Sequence, residues 1–329
     1  MAVDRLRGAF QMSRSGKVLA AGAAGPQDDP AGALCSPETC FQAASVSKNL
    51  VAASMTLLCE KGTLSLADPV KRWWPKAPGS WESMTVSHLL SHSAGIGHWS
   101  YFPGLDIHNP PPPEVVLEQA AELPLRRRPG TVWEYGGIGY LLAAAISETA
   151  SNQPYSEFVA DNIFRPLGMS STTSGVTRRG RGVADGHTGG QPTPVIEGLS
   201  ALPGTGDLWT TVGDLTRYAT AVHKGELISA SSWRSLTHRQ MDLPTERTVQ
   251  DPVDATAYGY GTYVGTISGQ SAWFHTGDNP GFRSFLAWLP DSDLTVAMLC
   301  NDESVAFDEA VPRILGTIDA QPVLPRPPT

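Results

Sequence analysis

Two stretches of the chain alternate apolar and polar side chains about Gly-rich turns: residues 7–24 (RGAFQMSRSGKVLAAGAA) and residues 258–301. A period of two is the mark of β-strands, and the second stretch predicts an antiparallel meander. Within it, FRSFLAWLPDSDLTVAMLCN divides into strands over 282–289 and 293–300, joined at Pro290-Asp291. Residues 45–61 (SVSKNLVAASMTLLCEK) instead space Leu50, Val51, Met55, Leu57 and Leu58 for one buried helical face, with Gly62 as a stop. Helices are also predicted over 113–123, 137–151 and 155–167, divided by joints such as the NPPPP run at 109–113, and again over 212–224 and 229–240. The expected class is α/β (α+β). An antiparallel sheet flanked by helices is built from 1–70 and 201–329, and residues 71–200 form a mainly helical second lobe. A cleft is expected between the two.

The chemistry begins at Ser45-Val46-Ser47-Lys48. Residues three apart share a helix face, so the Ser45 hydroxyl and the Lys48 amine can meet. A serine needs a base to become a nucleophile, and a lysine serves when burial or a neighbouring cation lowers its pKa. The first helical turn also offers unpaired N–H groups to a developing oxyanion. Taken alone, the tetrad is a weak signal and reads more ordinarily as a capping serine beside a solvated lysine.

Two later segments change its weight. Trp133-Glu134-Tyr135-Gly136-Gly137 places Tyr135 on a glycine-rich loop ahead of a helix, where a phenol beside a lysine can relay protons. His275-Thr276-Gly277-Asp278 lies on a predicted strand near a sheet edge. Gly277 would there let backbone approach a substrate, and the next N–H could donate to an oxyanion.

In this order the three motifs resemble the serine β-lactamase and penicillin-binding-protein superfamily, in the branch of class C β-lactamase-like proteins, family VIII esterases, D-aminopeptidases and DD-peptidases. Flanking segments agree: FQAA at 41–44, GTLSLADPV at 62–70, VSHLLSHSAGI at 86–96 and GTGDLWTT at 204–211. The resemblance implies Ser45 as acylated nucleophile, Lys48 as its base, and Tyr135 as a second proton carrier. It implies His275 in the place of the family's KTG lysine, and an oxyanion hole from the Ser45 and Asp278 N–H groups. Since the acylation base is disputed across S-x-x-K enzymes, Lys48 and Tyr135 are treated as a coupled pair.

The chain departs from the family pattern at two site positions. Gly137 stands where relatives carry Asn, so an amide that would orient Lys48 and the substrate is missing. His275 replaces a lysine, which removes a fixed positive charge. Arg283, eight residues on, reads as a carboxylate contact or, more ordinarily, as a solvent-facing strand residue. A third departure is the opening strand: many relatives begin with a helix packed on the sheet, here missing or supplied otherwise. Trp99, Tyr101 and Phe102, in the aromatic loop 97–113, are candidates for an apolar substrate wall, or else simply pack on the helices. Trp133, Trp209 and Trp273 lie near the motifs and would add apolar surface. With Gly137, Thr276 and Gly277 these complete the expected substrate site.

With 329 residues the chain can bury a large core, and its formal charge of −8 argues against nucleic-acid or anionic-membrane partners. No apolar run of about 18 residues occurs, and MAVDRLRGAF lacks a signal-peptide core, so a cytoplasmic place is expected, though a chain trimmed of a leader reads the same. Cys35, Cys40, Cys59 and Cys300 have no C-x-x-C spacing and read as free thiols, with a Cys35–Cys40 bridge as the alternative. His88 and His92 are four apart, but no third ligand is evident, so no metal is expected. No nucleotide motif or other cofactor signature occurs. The expected activity is acyl transfer through a Ser45 acyl-enzyme: an ester or amide hydrolase, or a transacylase using a small-molecule acyl donor with an amine or alcohol acceptor. The alternatives are a D-stereospecific peptidase or weak β-lactamase, and a lapsed binding protein that keeps the fold.

Overall fold

The computed structural model describes residues 6–28, 32–102, 105–244 and 253–319. Its centre is an eight-stranded antiparallel sheet. From edge to edge the strands are Lys17–Ala24, Gly8–Arg14, Leu294–Cys300, Phe282–Leu289, Gln270–Asn279, Tyr263–Ile267, Val253–Tyr258 and Met241–Asp242. The first strand pairs with the last, from Gly8 opposite Cys300 to Arg14 opposite Leu294. Distant ends of the chain thus close one sheet. The predicted joint at Pro290-Asp291 is a short 3-10 turn, Pro290–Ser292.

Both faces of this sheet are covered, and successive residues divide between them. Ala9, Leu286 and Leu299 face a large cluster that includes Leu50, Val51 and Met55 of the helix Ser47–Glu60, Leu141 of Ile138–Ser151 and Leu215 of Val212–His223. Phe10, Phe285 and Met298 face a second cluster, closed by Phe307, Val311 and Ile314 of the helix Phe307–Asp319. Burial on both sides explains why Leu294–Cys300 is apolar almost throughout and fully buried. The helix Phe307–Asp319, which the sequence reading did not predict, covers the second face.

The segment between the sheet's halves carries the helices Pro113–Glu122 and Ile138–Ser151, a helical turn Tyr155–Val159 that continues as a π-turn, and a short hairpin of Gly186–Thr188 with Gln191–Thr193. Ser47–Glu60 runs through the middle of the large cluster, with Leu50, Val51, Met55 and Leu58 nearly inaccessible. It ends where predicted, with Gly62 in the left-handed region at φ 72°. The four cysteines are free thiols. Cys35 and Cys40 point to different partners, Pro26 and Asn301 for the first and the Ser171 carbonyl for the second. Burial raises their pKa to about 12, and that of Cys59 to about 11. No helix among the described residues is long and apolar enough to cross a membrane.

Phe285 is inaccessible and lies between Phe274 and Phe307, so it joins the sheet to the last helix. Phe285→Ala is expected to lower unfolding stability by about 3–5 kcal/mol, read from the urea midpoint at unchanged slope. A loss under about 1 kcal/mol would mean that the helix does not pack there.

Candidate active site

Ser45 sits on a tightly held turn. The two-residue strand Phe41–Gln42 pairs with Trp209–Thr210, and the Ala43 N–H donates to the Leu208 carbonyl at 2.8 Å. Ala44 then takes φ 46°, a left-handed conformation that a non-glycine residue holds only when its surroundings impose it. A 3-10 turn, Ala44–Val46, runs directly into the helix Ser47–Glu60. Ser47 secures the turn: its hydroxyl donates to the Ala44 carbonyl at 2.7 Å and accepts from the Leu208 N–H at 3.1 Å. The Ser284 hydroxyl donates to the Ala43 carbonyl at 2.6 Å. With the backbone held from three sides, the Ser45 hydroxyl is aimed by the fold.

The Lys48 amine lies 2.8 Å from Ser45 Oγ and donates to the Thr205 carbonyl at 3.0 Å. Its side chain is 2% exposed. Burial lowers its pKa from 10.5 to about 7, against a smaller upward pull from the Asp207 carboxylate. Among the described residues no carboxylate lies within ion-pairing distance of it. Asp207 is itself buried, with its pKa raised by that burial, and it accepts from the Gly204 and Gly175 N–H groups and the Ser174 hydroxyl. It therefore shapes the 204–207 loop that presents the Thr205 carbonyl.

Tyr135 arrives on the loop before Ile138–Ser151, as predicted, and the Lys48 amine is 4.9 Å from its ring centre. His92, at φ 56°, holds this loop. Its ring lies 4.4 Å from that of Tyr135, its Nδ1 accepts from the Gly136 N–H at 3.3 Å, and its carbonyl accepts from the Glu134 N–H at 2.8 Å. His88 caps its own helix by accepting from the Thr85 N–H at 3.2 Å. The histidine pair thus does local structural work.

A cavity of about 420 Å³ opens over these groups. Ser45, Lys48, Tyr135, Gly137, Trp99, Thr276 and Asp278 line it, joined by His98, Thr205, Asn279 and Arg283. Seven expected residues are absent from its walls. His275 is 1% exposed; its Nδ1–H donates to the Thr276 carbonyl at 2.6 Å and its Nε2 accepts from the Tyr258 hydroxyl at 3.0 Å. Burial, then the nearby Lys48 charge, depress its pKa to about 3, so it is neutral and supports the strand from behind. Direct catalytic contact by His275 is thereby corrected. Gly277 also faces away: a Cβ there would lie 2.2 Å from Ser284 Oγ and 2.6 Å from the Ala43 carbonyl oxygen. Its bareness lets the nucleophile turn pack against the strand, rather than admitting substrate. Tyr101 is exposed, with the Arg126 guanidinium 3.6 Å from its ring centre, and Phe102 is buried in the large cluster. Of the predicted aromatic wall only Trp99 reaches the cavity; Pro103 and Gly104 of that loop lie outside the described residues. Trp133 and Trp209 are core residues, and Trp273 stacks on Trp288 at 5.2 Å.

Arg283 is not solvent-facing. Its side chain is 15% exposed, donates to the Val305 carbonyl at 2.7 Å, and lies 3.4 Å from Asp278 and 4.8 Å from the Phe307 ring. Asn279 donates to the Gly206 carbonyl at 3.1 Å, tying the strand Gln270–Asn279, which lies inside the sheet rather than near its edge as expected, to the loop that holds Lys48. Sequence reading missed the roles of Thr205, Asp207, His92 and Asn279. The first three lie within flanking segments that carry the resemblance, where spacing alone assigns no task.

A family model described as Beta-lactamase matches residues 2–317. The chain belongs to the Beta-lactamase family. Esterase EstB of Burkholderia gladioli is 32% identical over 209 residues, covering 58% of this chain and 53% of its own. The chain spans 53% to 64% of the length of the first curated relatives it matches. Among solved structures, the octameric penicillin-binding protein homologue from Pyrococcus abyssi superposes with TM-score 0.80 at 24% identity, covering 95% of this chain and 74% of that one. D-amino acid amidase from Ochrobactrum anthropi superposes at 0.81 with 21% identity, covering 96% and 94%. Both likenesses extend over nearly the whole chain and concern the fold.

Charging Lys48 inside the protein is unfavourable, which sets a sign for stability. Its folded pKa of about 7 lies below the unfolded 10.5, so the unfolded chain binds the extra proton between these values and stability rises with pH across that window. Lys48→Met, which keeps the length without the charge, should be more stable than the parent. The difference should be full below pH 7 and shrink as pH approaches 10. Urea unfolding at four pH values reads it; a difference that is flat or grows with pH would contradict the burial of the charge.

Proposed function

We propose that the protein is a serine acyl hydrolase working through a Ser45 acyl-enzyme. The observation that carries this reading is the amine of Lys48, buried, with no carboxylate among the described residues at pairing distance, and 2.8 Å from Ser45 Oγ. As the free amine, Lys48 takes the Ser45 proton while Oγ attacks the acyl carbonyl. The oxyanion is held by backbone N–H groups of Ser45 and Asp278. The bond to the leaving oxygen or nitrogen then breaks, and the proton reaches that atom through Lys48 and Tyr135. Water enters by the same relay, adds to the acyl carbon and frees Ser45. An amine or alcohol in place of water would make the protein a transacylase, which product analysis separates from a hydrolase.

An ester, or another acyl donor that needs no amide partner at position 137, suits this site better than a stem peptide or a penicillin. Gly137 brings no side-chain amide to the cavity. Where lysine stands in relatives, His275 is buried and neutral. The similarity to an esterase over part of the chain supports the same preference as analogy.

The protein treated with a p-nitrophenyl ester and with a phosphonate ester should show a burst of nitrophenol and a mass increase located on Ser45. Ser45→Ala should lose both, with turnover down about a thousandfold or more. Since protonated Lys48 cannot accept a proton, kcat/KM should rise with pH and level off, with its midpoint near the Lys48 value of about 7. Full activity in Ser45→Ala would end the proposal. Acylation without turnover would mark a binding protein, and rapid nitrocefin turnover a β-lactamase.

A further inference from the structure

The two glycines after Tyr135 have a use beyond flexibility. Neither has positive φ; both are bare because another segment presses against them. A Cβ on Gly136 would lie 2.5 Å from the Gly97 carbonyl oxygen. A Cβ on Gly137 would lie 2.2 Å from Cζ2 and 2.4 Å from Cη2 of the Trp99 indole. Real side chains do not approach so closely, so a side chain at 137 and this indole position exclude each other. The indole occupies the volume such a side chain would take.

The Trp99 segment is fastened there. The Arg126 guanidinium lies over the Tyr101 ring at 3.6 Å, and its Nε donates to Glu134, the neighbour of Tyr135, at 2.8 Å. The Arg126 N–H donates to the Gly95 carbonyl at 2.8 Å. One arginine therefore joins the segment that bears Trp99 to the loop that bears Tyr135. Ile107 and Leu199 add apolar lining to the cavity, while Thr276, Asp278 and Asn279 supply polar groups from the end of the strand Gln270–Asn279. Trp99 and Ser45 thus line the same cavity, whose walls carry both apolar and polar groups.

We propose that Trp99, seated in the space left at Gly137, is a substrate-recognition wall that selects acyl donors carrying a flat aromatic group close to the scissile carbonyl. The assignment rests on the acyl-hydrolase reading. A ring laid on the indole gains stacking and buries apolar area in a cavity large enough for it. The bare backbone at 136–137 offers no side-chain amide to reward a polar substituent in its place.

The test measures kcat/KM for two ester pairs. Phenylacetyl against acetyl p-nitrophenyl esters vary the acyl side, and benzyl against ethyl acetates vary the alcohol side. In one pair the parent should prefer the ring, and Trp99→Ala should cut that preference about tenfold, chiefly through KM. The pair affected says which side of the ester meets the indole. Trp99→Phe should keep part of the preference and Trp99→Leu should not. Gly137→Ala, which drives a methyl into the indole, should also cut it. Trp99→Ala/Gly137→Ala should be no worse than Trp99→Ala alone, since the clash is then gone. Phosphonate labelling of Ser45 in every variant shows that the site is folded. Unchanged ratios in Trp99→Ala, equal behaviour of the Phe and Leu variants, or strictly additive effects in the double variant would overturn the wall and leave the hydrolase reading standing. A parent that neither labels at Ser45 nor turns over any ester ends both.

Discussion

A buried amine that no carboxylate of the described residues contacts is the constraint on which this site rests. Lys48 is held between Ser45 Oγ and one backbone carbonyl, that of Thr205. Water would stabilise its charge, and a carboxylate at contact distance would lock that charge in place. Burial withholds most of the first, no carboxylate among the described residues supplies the second, and the amine's pKa falls to about 7. Much nearby structure serves this balance. The Asp207 carboxylate is engaged with the hydroxyl and N–H groups of its own loop, close enough to moderate the effect and too occupied to pair with the amine.

The remaining parts reach the amine from separate regions of the chain, and close backbone contact is what lets them meet. Gly277 admits the Ser45 turn to the strand Gln270–Asn279, and Gly136 and Gly137 admit the Trp99 segment to the Tyr135 loop. In each case a missing Cβ is filled by a neighbouring segment. His92 and Asn279 then fix the arrangement through hydrogen bonds, the first with the Gly136 and Glu134 N–H groups and the second with the Gly206 carbonyl. Convergence of Ser45, Lys48 and Tyr135 on one cavity is a property of these contacts as much as of the three side chains.

Spacing and local pattern made Ser45, Lys48 and Tyr135 legible, because a pair three apart on a helix and a tyrosine before a helix are local features. The sheet was legible for the same reason: its meander alternates, and its turns are marked by Gly and Pro. What escaped depends on which way a strand or loop faces once packed. His275 and Thr276 are neighbours, yet only Thr276 reaches the cavity, because successive strand residues point to opposite sides. Gly277 looks like an opening for substrate and is an opening for Ala43. Trp99, Tyr101 and Phe102 read as one aromatic cluster and divide among cavity, solvent and core. Thr205 acts through its carbonyl, for which side-chain identity carries no signal. The helix Phe307–Asp319 carries a proline at 312, a residue that ordinarily argues against a helix.

The buried cysteines bear on how this protein meets electrophiles. With pKa values of about 11 to 12 for Cys35, Cys40 and Cys59, and Cys300 also pushed up by its enclosure, roughly one thiol in ten thousand or fewer is ionised at neutral pH. Sulfur, ordinarily the softest and fastest target in a polypeptide, is here chemically quiet. Competition from sulfur for a reactive acyl or phosphonyl compound is therefore weak at neutral pH.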